Sequence, residues 1–188
     1  MSSYDEIRTI ALDEFAKAGY IGTSLQRIAD VAGLSKSSVL YHFASKEALL
    51  AAAIQPALDR VERMVVSLEA GPLSAERRDV FISDFVDLLL AHRLEVHLFI
   101  NQGPSLVDVP AFEQANALVT RLATFFAGSV STLEDHMRFG IALGGAAYML
   151  VSQDGIPLED QSTVDESRAA LVTIMTELLA PIPVRTTV

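Results

Sequence analysis

The chain has 188 residues, of which 51% are hydrophobic, and its formal net charge is −10. The hydrophobic content excludes a disordered chain, and the acidic balance excludes a protein that coats polyanions in general while leaving room for a local nucleic-acid site. The absence of cysteine excludes disulfides, a thiol nucleophile and thiolate metal ligands.

Charge and hydropathy are unevenly distributed along the chain. All three lysines lie within the first 46 residues, whereas residues 48–188 hold nine arginines and 18 acidic residues. The amino-terminal residues are polar, and the longest uncharged apolar stretch, Phe139 to Val151, is shorter than the roughly 20 residues that span a membrane. We therefore expect a cytoplasmic protein that does not enter a membrane, with an N-terminal surface unlike the rest.

Apolar residues recur at helical spacing, and no segment alternates with the two-residue period of a strand. Capping residues and glycines predict where the first helices begin and end. The predicted N-terminal helices run from Ser3 to Gly19, from Thr23 with its Gln26 box to Ala32, from Ser35 to about His42, and from Lys46 to about Ala70, the last containing a kink at Pro56.

Further helices are predicted beyond Gly71-Pro72. They are Ala75–Arg93, Leu94–Gln102, Ala111–Ala127, Thr132–Gln153 and Val164–Ala180, with breaks at Gly103-Pro104, Pro110, Gly128 and the Gly155–Ser162 loop, and boxes at Ser131/Glu134 and Thr163/Glu166. About nine helices and no strand follow, so the predicted fold class is all-α.

Residues 23–47 carry the pattern that indicates a mechanism. Two short helices joined by Ala-Gly-Leu fit a helix-turn-helix, in which Gly33 supplies the backbone freedom of the turn. In the second helix Val39 and Phe43 lie four residues apart and should pack inward. The opposite side then presents Ser37 and Tyr41, small and polar enough for a helix that enters a DNA major groove.

Polar residues around these helices fit contacts to the DNA backbone and base edges, because hydroxyl and amide groups at a helix start hold anionic oxygens. The predicted DNA-binding residues are Thr23, Ser24, Arg27, Lys36, Ser37, Ser38, Leu40, Tyr41, His42 and Lys46. Arg27, Lys36 and His42 taken singly fit a solvated charge or a helix-end hydrogen bond equally well.

Over residues 5–50 the sequence resembles the tetracycline-repressor (TetR) family of transcriptional regulators. The positions that match its signature are Ile28, Ala29, Ala32, Gly33, Ser35, Tyr41, His42, Phe43, Ser45, Lys46, Glu47 and Leu49. Two positions depart from the common pattern: Ser37 stands where glycine is frequent, and Leu40 stands where an aromatic residue is frequent. Both departures leave the operator sequence open.

The resemblance implies an N-terminal three-helix helix-turn-helix DNA-binding domain and a C-terminal helical ligand-binding and dimerisation domain, which we place at residues 1–47 and 48–188. It further implies a homodimer and repression relieved by a small-molecule inducer. A two-fold dimer predicts a near-palindromic operator. Because no catalytic constellation of residues stands out in the sequence, we expect no enzymatic activity and no cofactor. An apolar or aromatic inducer is our inference from the aromatic content of the second domain.

Apolar and polar residues in the C-terminal part predict a ligand pocket, although each fits an ordinary core position as well. The pocket candidates are Phe85, Leu89, His92, His97, Phe99, Asn101, Arg121, Phe126 and Met137, with Gln102 as a further polar neighbour. His92 and His97 lie about 140° apart around a helix, so they should not share a metal ion, and we expect none.

Small and apolar residues in the last two helices predict a four-helix bundle across a two-fold axis. The predicted interface residues are Gly140, Gly144, Ala147, Tyr148, Leu171, Ile174, Met175 and Leu178. Packing within one chain is the alternative for these residues. For the whole protein, the alternative is a helical ligand-binding or scaffold protein without productive DNA binding, which the acidic charge keeps open.

Overall fold

The computed structural model describes residues 3–103, 106–151 and 161–182, with no side-chain description at 161 and 162. Within these ranges the chain forms nine α-helices and no strand, so the all-α prediction is confirmed. The helices are α1 (Ser3–Ala18), α2 (Leu25–Val31), α3 (Lys36–His42), α4 (Lys46–Glu69), α5 (Ala75–Ala91), α6 (Arg93–Gln102), α7 (Pro110–Ser129), α8 (Leu133–Val151) and α9 (Gln161–Leu179).

The predicted helix caps are partly confirmed. The Ser35 hydroxyl accepts the Ser38 amide at 3.1 Å, and the Ser45 hydroxyl accepts the Ala48 amide at 3.0 Å. At α2 the prediction is one residue too early, because Ser24 rather than Thr23 accepts the Arg27 amide. Capping is decided by which hydroxyl faces the orphan amides, and neighbouring hydroxyls are equivalent in a sequence pattern.

Two later boundaries also differ from prediction. The Thr132 hydroxyl, not Ser131, accepts the Asp135 amide at the start of α8. Thr163 lies inside α9, which already begins at Gln161, and most of the predicted Gly155–Ser162 loop lies outside the described residues. Gly128 does not end α7, since that helix continues to Ser129.

Gly19 and Gly33 have φ angles of +78° and +66°, which residues with a side chain rarely adopt. Gly19 ends α1, as predicted, and Gly33 allows the turn between α2 and α3. Since α2 packs against both α1 and α3, these two glycines set the path of the N-terminal helices.

The chain divides into two compact units. The first comprises Met1–Asp59 and Leu94–Asn116, and its core includes the fully buried Phe15, Ile28 and Leu98. Each such side chain contributes about 1.5–3 kcal/mol when it leaves water. These units are defined by packing and not by function. The boundary at residue 47 between the DNA-binding domain and the ligand-binding domain stays a prediction.

The second unit comprises Arg60–Arg93 and Ala117–Val188, in which α5, α8 and α9 pack on one another. Its core includes Ile82, Leu89 and Met175. α4 continues without interruption through Pro56, whose ring removes one backbone hydrogen bond, and the kink expected there stays a prediction.

Arginine side chains occupy the C-terminal ends of helices in the second unit. Arg77 donates to the carbonyls of Ser67 and Leu68 at the end of α4, and Arg93 donates to Leu150 O at 2.9 Å. The end of α9 is held twice: Leu179 O accepts from Arg78 at 3.0 Å, and Leu178 O accepts from Arg138 at 3.2 Å. These cations satisfy orphan carbonyls and complement the helix dipole. No helix among the described residues is long and apolar enough to cross a membrane.

Candidate nucleic-acid interface

The two side chains of α3 that were predicted to pack inward, Val39 and Phe43, are buried. Val39 is fully buried and Phe43 almost so, against an α2 face that includes Ile28 and Ala29. The inward face of α3 is therefore confirmed. Because α3 is short and pinned by these two residues, the rest of its surface remains on the outside of the unit.

The outward face of α3 is polar or mildly apolar. Ser37 and Lys36 are exposed, Leu40 is 41% exposed and Tyr41 is 87% exposed. Ser38 is half-buried and its hydroxyl lies 2.8 Å from that of Ser35, so it takes part in the cap. An exposed helix face with hydroxyls, one ring and one cation has the groups that hydrogen-bond base edges and phosphates.

Aromatic residues surround the end of α3. The Tyr4 ring stacks on Phe43 with centroids 4.6 Å apart, and His42 meets Tyr41 edge-on at 5.3 Å. Tyr4 comes from α1 and was not predicted to take part, because nothing in the sequence links a residue near the chain start to Phe43. His42 itself is exposed beside these rings.

Thr23 lies in the interior, which differs from its predicted place on the DNA-facing surface. Its side chain is 2% exposed, and its hydroxyl donates to the carbonyls of Glu14 at 3.1 Å and Gly19 at 2.8 Å. The hydroxyl therefore joins the end of α1 to the start of α2. The Thr23 amide donates to Gly19 O at 3.1 Å as well, so both hydrogen-bond donors of Thr23 are used within the chain.

Lys46 also makes contacts that its sequence position does not suggest. Its ammonium group donates to Tyr20 O at 2.8 Å and to Thr23 O at 2.9 Å, and it lies 4.3 Å from the centre of the Tyr20 ring. Partial burial lowers the pKa of Lys46. These contacts hold the segment between α1 and α2 against the start of α4.

Arg27 and Ser24 stand at the exposed start of α2. The Arg27 guanidinium donates to Glu14 Oε2 at 2.9 Å, and this hydrogen bond raises the pKa of Arg27. Glu14 is a buried acid in α1 that the sequence analysis missed, since an ion pair 13 residues apart leaves no local spacing to recognise. Arg27 remains largely exposed, so it is held in place without being covered.

Six of the predicted pocket residues lie in the second unit: Phe85, Leu89, His92, Arg121, Phe126 and Met137. Phe81 connects Phe85 and Phe126, with ring centroids at 5.7 Å and 5.2 Å. Met137, also predicted to line the pocket, is more than half exposed on α8. Arg121 is committed to both carboxylate oxygens of Glu69, at 3.2 and 2.5 Å, which lowers the pKa of Glu69.

The other three pocket candidates, His97, Phe99 and Asn101, lie in the first unit. Asn101 Nδ2 donates to His97 O at 3.1 Å and lies 3.1 Å from the His97 ring nitrogen, while Phe99 stacks on Phe112 at 6.3 Å. Gln102 hydrogen-bonds main-chain groups of the first unit rather than orienting a ligand. Among the described residues, no cluster of three or more His, Asp or Glu could hold a metal ion.

A groove of about 130 Å³ lies elsewhere in the second unit, between α4 and α5. It is lined by Met64, Ser67, Leu68, Glu76, Arg77, Val80, Phe81 and Asp84. Of these residues only Phe81 also belongs to the aromatic cluster around Phe126. The sequence analysis did not single out this groove, because its walls come from two helix faces that meet only in the fold.

The predicted interface residues separate into two groups. Gly140, Gly144, Tyr148 and Ile174 are exposed on α8 and α9, with Ala147 and Leu178 half-buried beside them. Leu171 and Met175 are buried within the chain, so their assignment to an interface is wrong. α9 packs on both α5 and α8, and an apolar stripe in the sequence does not say which neighbour covers it.

The helix-turn-helix region matches known regulators. The family model described as "Bacterial regulatory proteins, tetR family" covers residues 7–53. The HTH-type transcriptional regulator RutR of Escherichia coli strain K12 is 42% identical over 73 residues, which are 39% of this chain and 31% of RutR. The HTH-type transcriptional repressor KstR2 of Mycobacterium tuberculosis is 29% identical over 110 residues, which are 57% of this chain and 54% of KstR2.

Thus the chain spans about a third to about half of the length of these curated relatives. Solved structures extend the likeness of the fold. The structure of the ketosteroid transcriptional regulator KstR2 of M. tuberculosis has a TM-score of 0.70 at 18% identity, covering 98% of this chain and 96% of that one. AibR, in complex with isovaleryl coenzyme A and operator DNA, has a TM-score of 0.61 at 19% identity, covering 93% and 98%.

The fold and the exposed face of α3 define a helix-turn-helix protein that is all-helical over its described residues. Its residues 7–53 match the model of the TetR family of bacterial regulatory proteins, and in this region the chain is similar to HTH-type transcriptional regulators.

Proposed function

We propose that this chain is a cytoplasmic, ligand-responsive repressor that binds a near-palindromic operator as a homodimer. Residues 1–47 form the DNA-binding domain, and residues 48–188 dimerise and sense a small apolar or aromatic inducer. The observation that carries the proposal is the two-sided character of α3, in which Val39 is buried while Tyr41 is largely exposed on the other face.

The exposed set around α3 supports DNA reading by small and polar groups. Ser37, Leu40 and Tyr41 lie where a recognition helix meets base edges, and Lys36 lies beside them. Ser24, Arg27 and His42 are exposed on the flanks and supply donors for phosphate oxygens. Thr23 and Lys46 contribute by ordering the segment before α2, as their buried or half-buried contacts indicate.

An exposed apolar face on α8 supports association with a second copy of the chain. Leu133, Met137, Ile141 and Tyr148 recur at intervals of four or seven residues and are each more than half exposed. Ile174 adds an exposed apolar side chain on α9. A contiguous apolar patch of this kind is usually covered by a partner. A two-fold dimer would present two α3 helices about 34–36 Å apart, matching successive major grooves.

The inducer class rests on the apolar lining and on relatives. AibR is described in complex with isovaleryl coenzyme A, whose acyl group is apolar, and KstR2 is described as a ketosteroid transcriptional regulator. In this chain the rings of Phe126 and Phe139 lie 4.1 Å apart, so a ligand entering this cluster would have to separate them. Such a ligand releases the operator only if it prefers the state with the lower operator affinity.

Selection of bound sequences from a random duplex pool, at low and moderate salt, tests the proposal. A recovered palindrome whose binding weakens as salt rises would support a dimeric operator-binding regulator. Recovery of no sequence at either salt would overturn it and favour the helical ligand-binding or scaffold protein. Equal operator affinity of ligand-bound and ligand-free dimers would overturn the inducer mechanism alone.

A further inference from the structure

Gln102, the last residue of α6, holds the main chain of a distant segment. Its Nε2 donates to Phe15 O at 2.9 Å, and its Oε1 accepts the Tyr20 amide at 2.8 Å. These two hydrogen bonds join residues that lie 87 and 82 positions apart in the sequence. One side-chain amide therefore connects the end of α6 to both the last turn of α1 and the loop after it.

The peptide groups around Tyr20 are held from two directions. Gln102 Oε1 accepts a hydrogen bond from the Tyr20 amide, and Lys46 donates one to the carbonyl of the same residue at 2.8 Å. Lys46 also holds Thr23 O at 2.9 Å, and Thr23 returns a hydrogen bond to Gly19 O. The five-residue loop from Gly19 to Thr23 is thus fixed at both ends by side chains from α4 and α6.

This loop leads directly into Ser24, the cap of α2, and α2 packs on α3. Because α2 and α3 share a packed core, a displacement of the loop moves α2 and α3 together. We propose that Gln102 is a positioning residue for DNA reading: it fixes the α1–α2 loop and thereby the orientation of α3. This inference rests on the proposed operator binding.

The chemistry of the contact requires a glutamine. A methionine has the same reach but makes neither hydrogen bond, and an asparagine is one methylene shorter. The neighbouring Asn101 does not substitute for it, because its amide donates to His97 O. The sequence alone does not show which of these two adjacent side chains, Asn101 or Gln102, makes the loop contact.

The test compares Gln102→Met with Gln114→Met in the full-length chain, using the selected operator duplex and a scrambled duplex. Gln114 is exposed on α7 in the same compact unit, so it makes the same chemical change without the loop contact. We expect Gln102→Met to weaken operator binding by about tenfold, in line with the loss of two hydrogen bonds. Binding to scrambled DNA should change less than twofold, because it depends on charge rather than on the orientation of α3.

Amide hydrogen exchange at Tyr20 provides a readout that does not depend on DNA. In the wild-type chain this loop amide should be protected, and in Gln102→Met its protection should fall while that of Leu50, in the core, stays within twofold. An unprotected Tyr20 amide in the wild type would overturn the contact even if the variant failed to fold.

The remaining outcomes are distinguishable. Operator affinity of Gln102→Met equal to that of the wild type, or equal losses in Gln102→Met and Gln114→Met, would overturn the role of Gln102 while leaving the proposed function intact. Equal losses on operator and scrambled DNA would overturn positioning in favour of a general structural role. Absence of any duplex binding by the wild type would overturn the proposed function and this role with it.

Discussion

Tyr41 is the residue on which operator recognition is most directly tested. Since Val39 and Phe43 fill the core side of α3, the ring of Tyr41 contributes little to packing within the unit. We expect Tyr41→Ala to weaken operator binding by about tenfold, the usual effect of losing one polar contact to DNA. The midpoint of thermal unfolding should shift by no more than about 2 °C, because surface substitutions rarely cost more than about 0.5 kcal/mol.

The control for this variant is Val107→Ala, an exposed apolar position of the same unit that does not belong to the helix-turn-helix. Tyr41→Phe separates the hydroxyl from the ring. A parallel loss of folding and binding in Tyr41→Ala, measured by circular dichroism and fluorescence anisotropy, would show that Tyr41 is structural.

Lys46 carries a prediction about stability. Replacing it with methionine removes the donor to Thr23 O and one of the two donors to Tyr20 O, which keeps the Thr23 amide at 3.3 Å. An unpaired, partly buried polar group costs about 1–3 kcal/mol. Urea denaturation of Lys46→Met should show a loss of this size. Lys17→Met is the matched control, since the Lys17–Asp13 pair is exposed and screened by solvent. Equal stability of the two variants would contradict the role assigned to Lys46.

Between elements, the ion pair of Arg168 with Asp87 joins α9 to α5. Arg168 Nε and Nη2 donate to the two carboxylate oxygens of Asp87 at 2.6 and 3.0 Å, and Nη2 also donates to the Ser83 hydroxyl at 2.8 Å. The hydrogen bond from Arg168 holds the pKa of Asp87 below its ordinary value of 3.8. Both side chains are partly exposed, so solvent screens the pair and limits its contribution.

The pH dependence of this pair has a definite sign. A carboxylate whose pKa is lowered by folding stabilises the folded state above its unfolded pKa, and the contribution disappears as pH falls through the folded pKa. Asp87→Asn should therefore lower the free energy of unfolding by about 0.5–1 kcal/mol near neutral pH. The difference from wild type should shrink as the pH falls below 3.8.

Chemical denaturation at a series of pH values measures this difference, with Asp84→Asn, exposed on the same helix, as the control for the change in net charge. A difference between Asp87→Asn and wild type that is constant with pH would contradict the prediction.

For the whole molecule, the prediction to test is that two copies of the chain dimerise through α8. A Cβ at Gly144 would meet nothing within 4 Å inside the chain, so a larger side chain there is tolerated by the monomer. In the proposed dimer the same side chain would stand between two close-packed helices. We expect Gly144→Leu to weaken dimerisation at least tenfold, since overpacking costs about 1–3 kcal/mol. Sedimentation velocity over a dilution series measures it.

Gly128→Leu is the control, because its Cβ also meets nothing within 4 Å and it lies on α7. An unchanged sedimentation profile for Gly144→Leu would move the interface away from this part of α8. Loss of association in both variants would indicate a general effect of added apolar surface.

Helix positions and the inward face of α3 were predictable because both depend on local spacing. Apolar residues at helical intervals, a serine before α3 and a glycine after α2 act within a few residues of one another, and the fold bears them out at Ser35, Gly33 and Val39. Predictions failed where two neighbouring residues carry the same chemistry. Thr23 and Ser24 both suit a cap, and only the position of the α1 carbonyls draws the threonine hydroxyl inward.

The amino-acid sequence by itself determined the all-helical class, the helix-turn-helix pattern and the resemblance of residues 7–53 to the TetR family, since each depends on residue types at short, fixed separations. The tertiary structure decided the partners of Lys46 and Gln102, and it decided that Leu171 and Met175 are core residues while Met137 is exposed. Those outcomes depend on which distant helix lies against each side chain, and a periodic pattern states that a face is covered without stating by what.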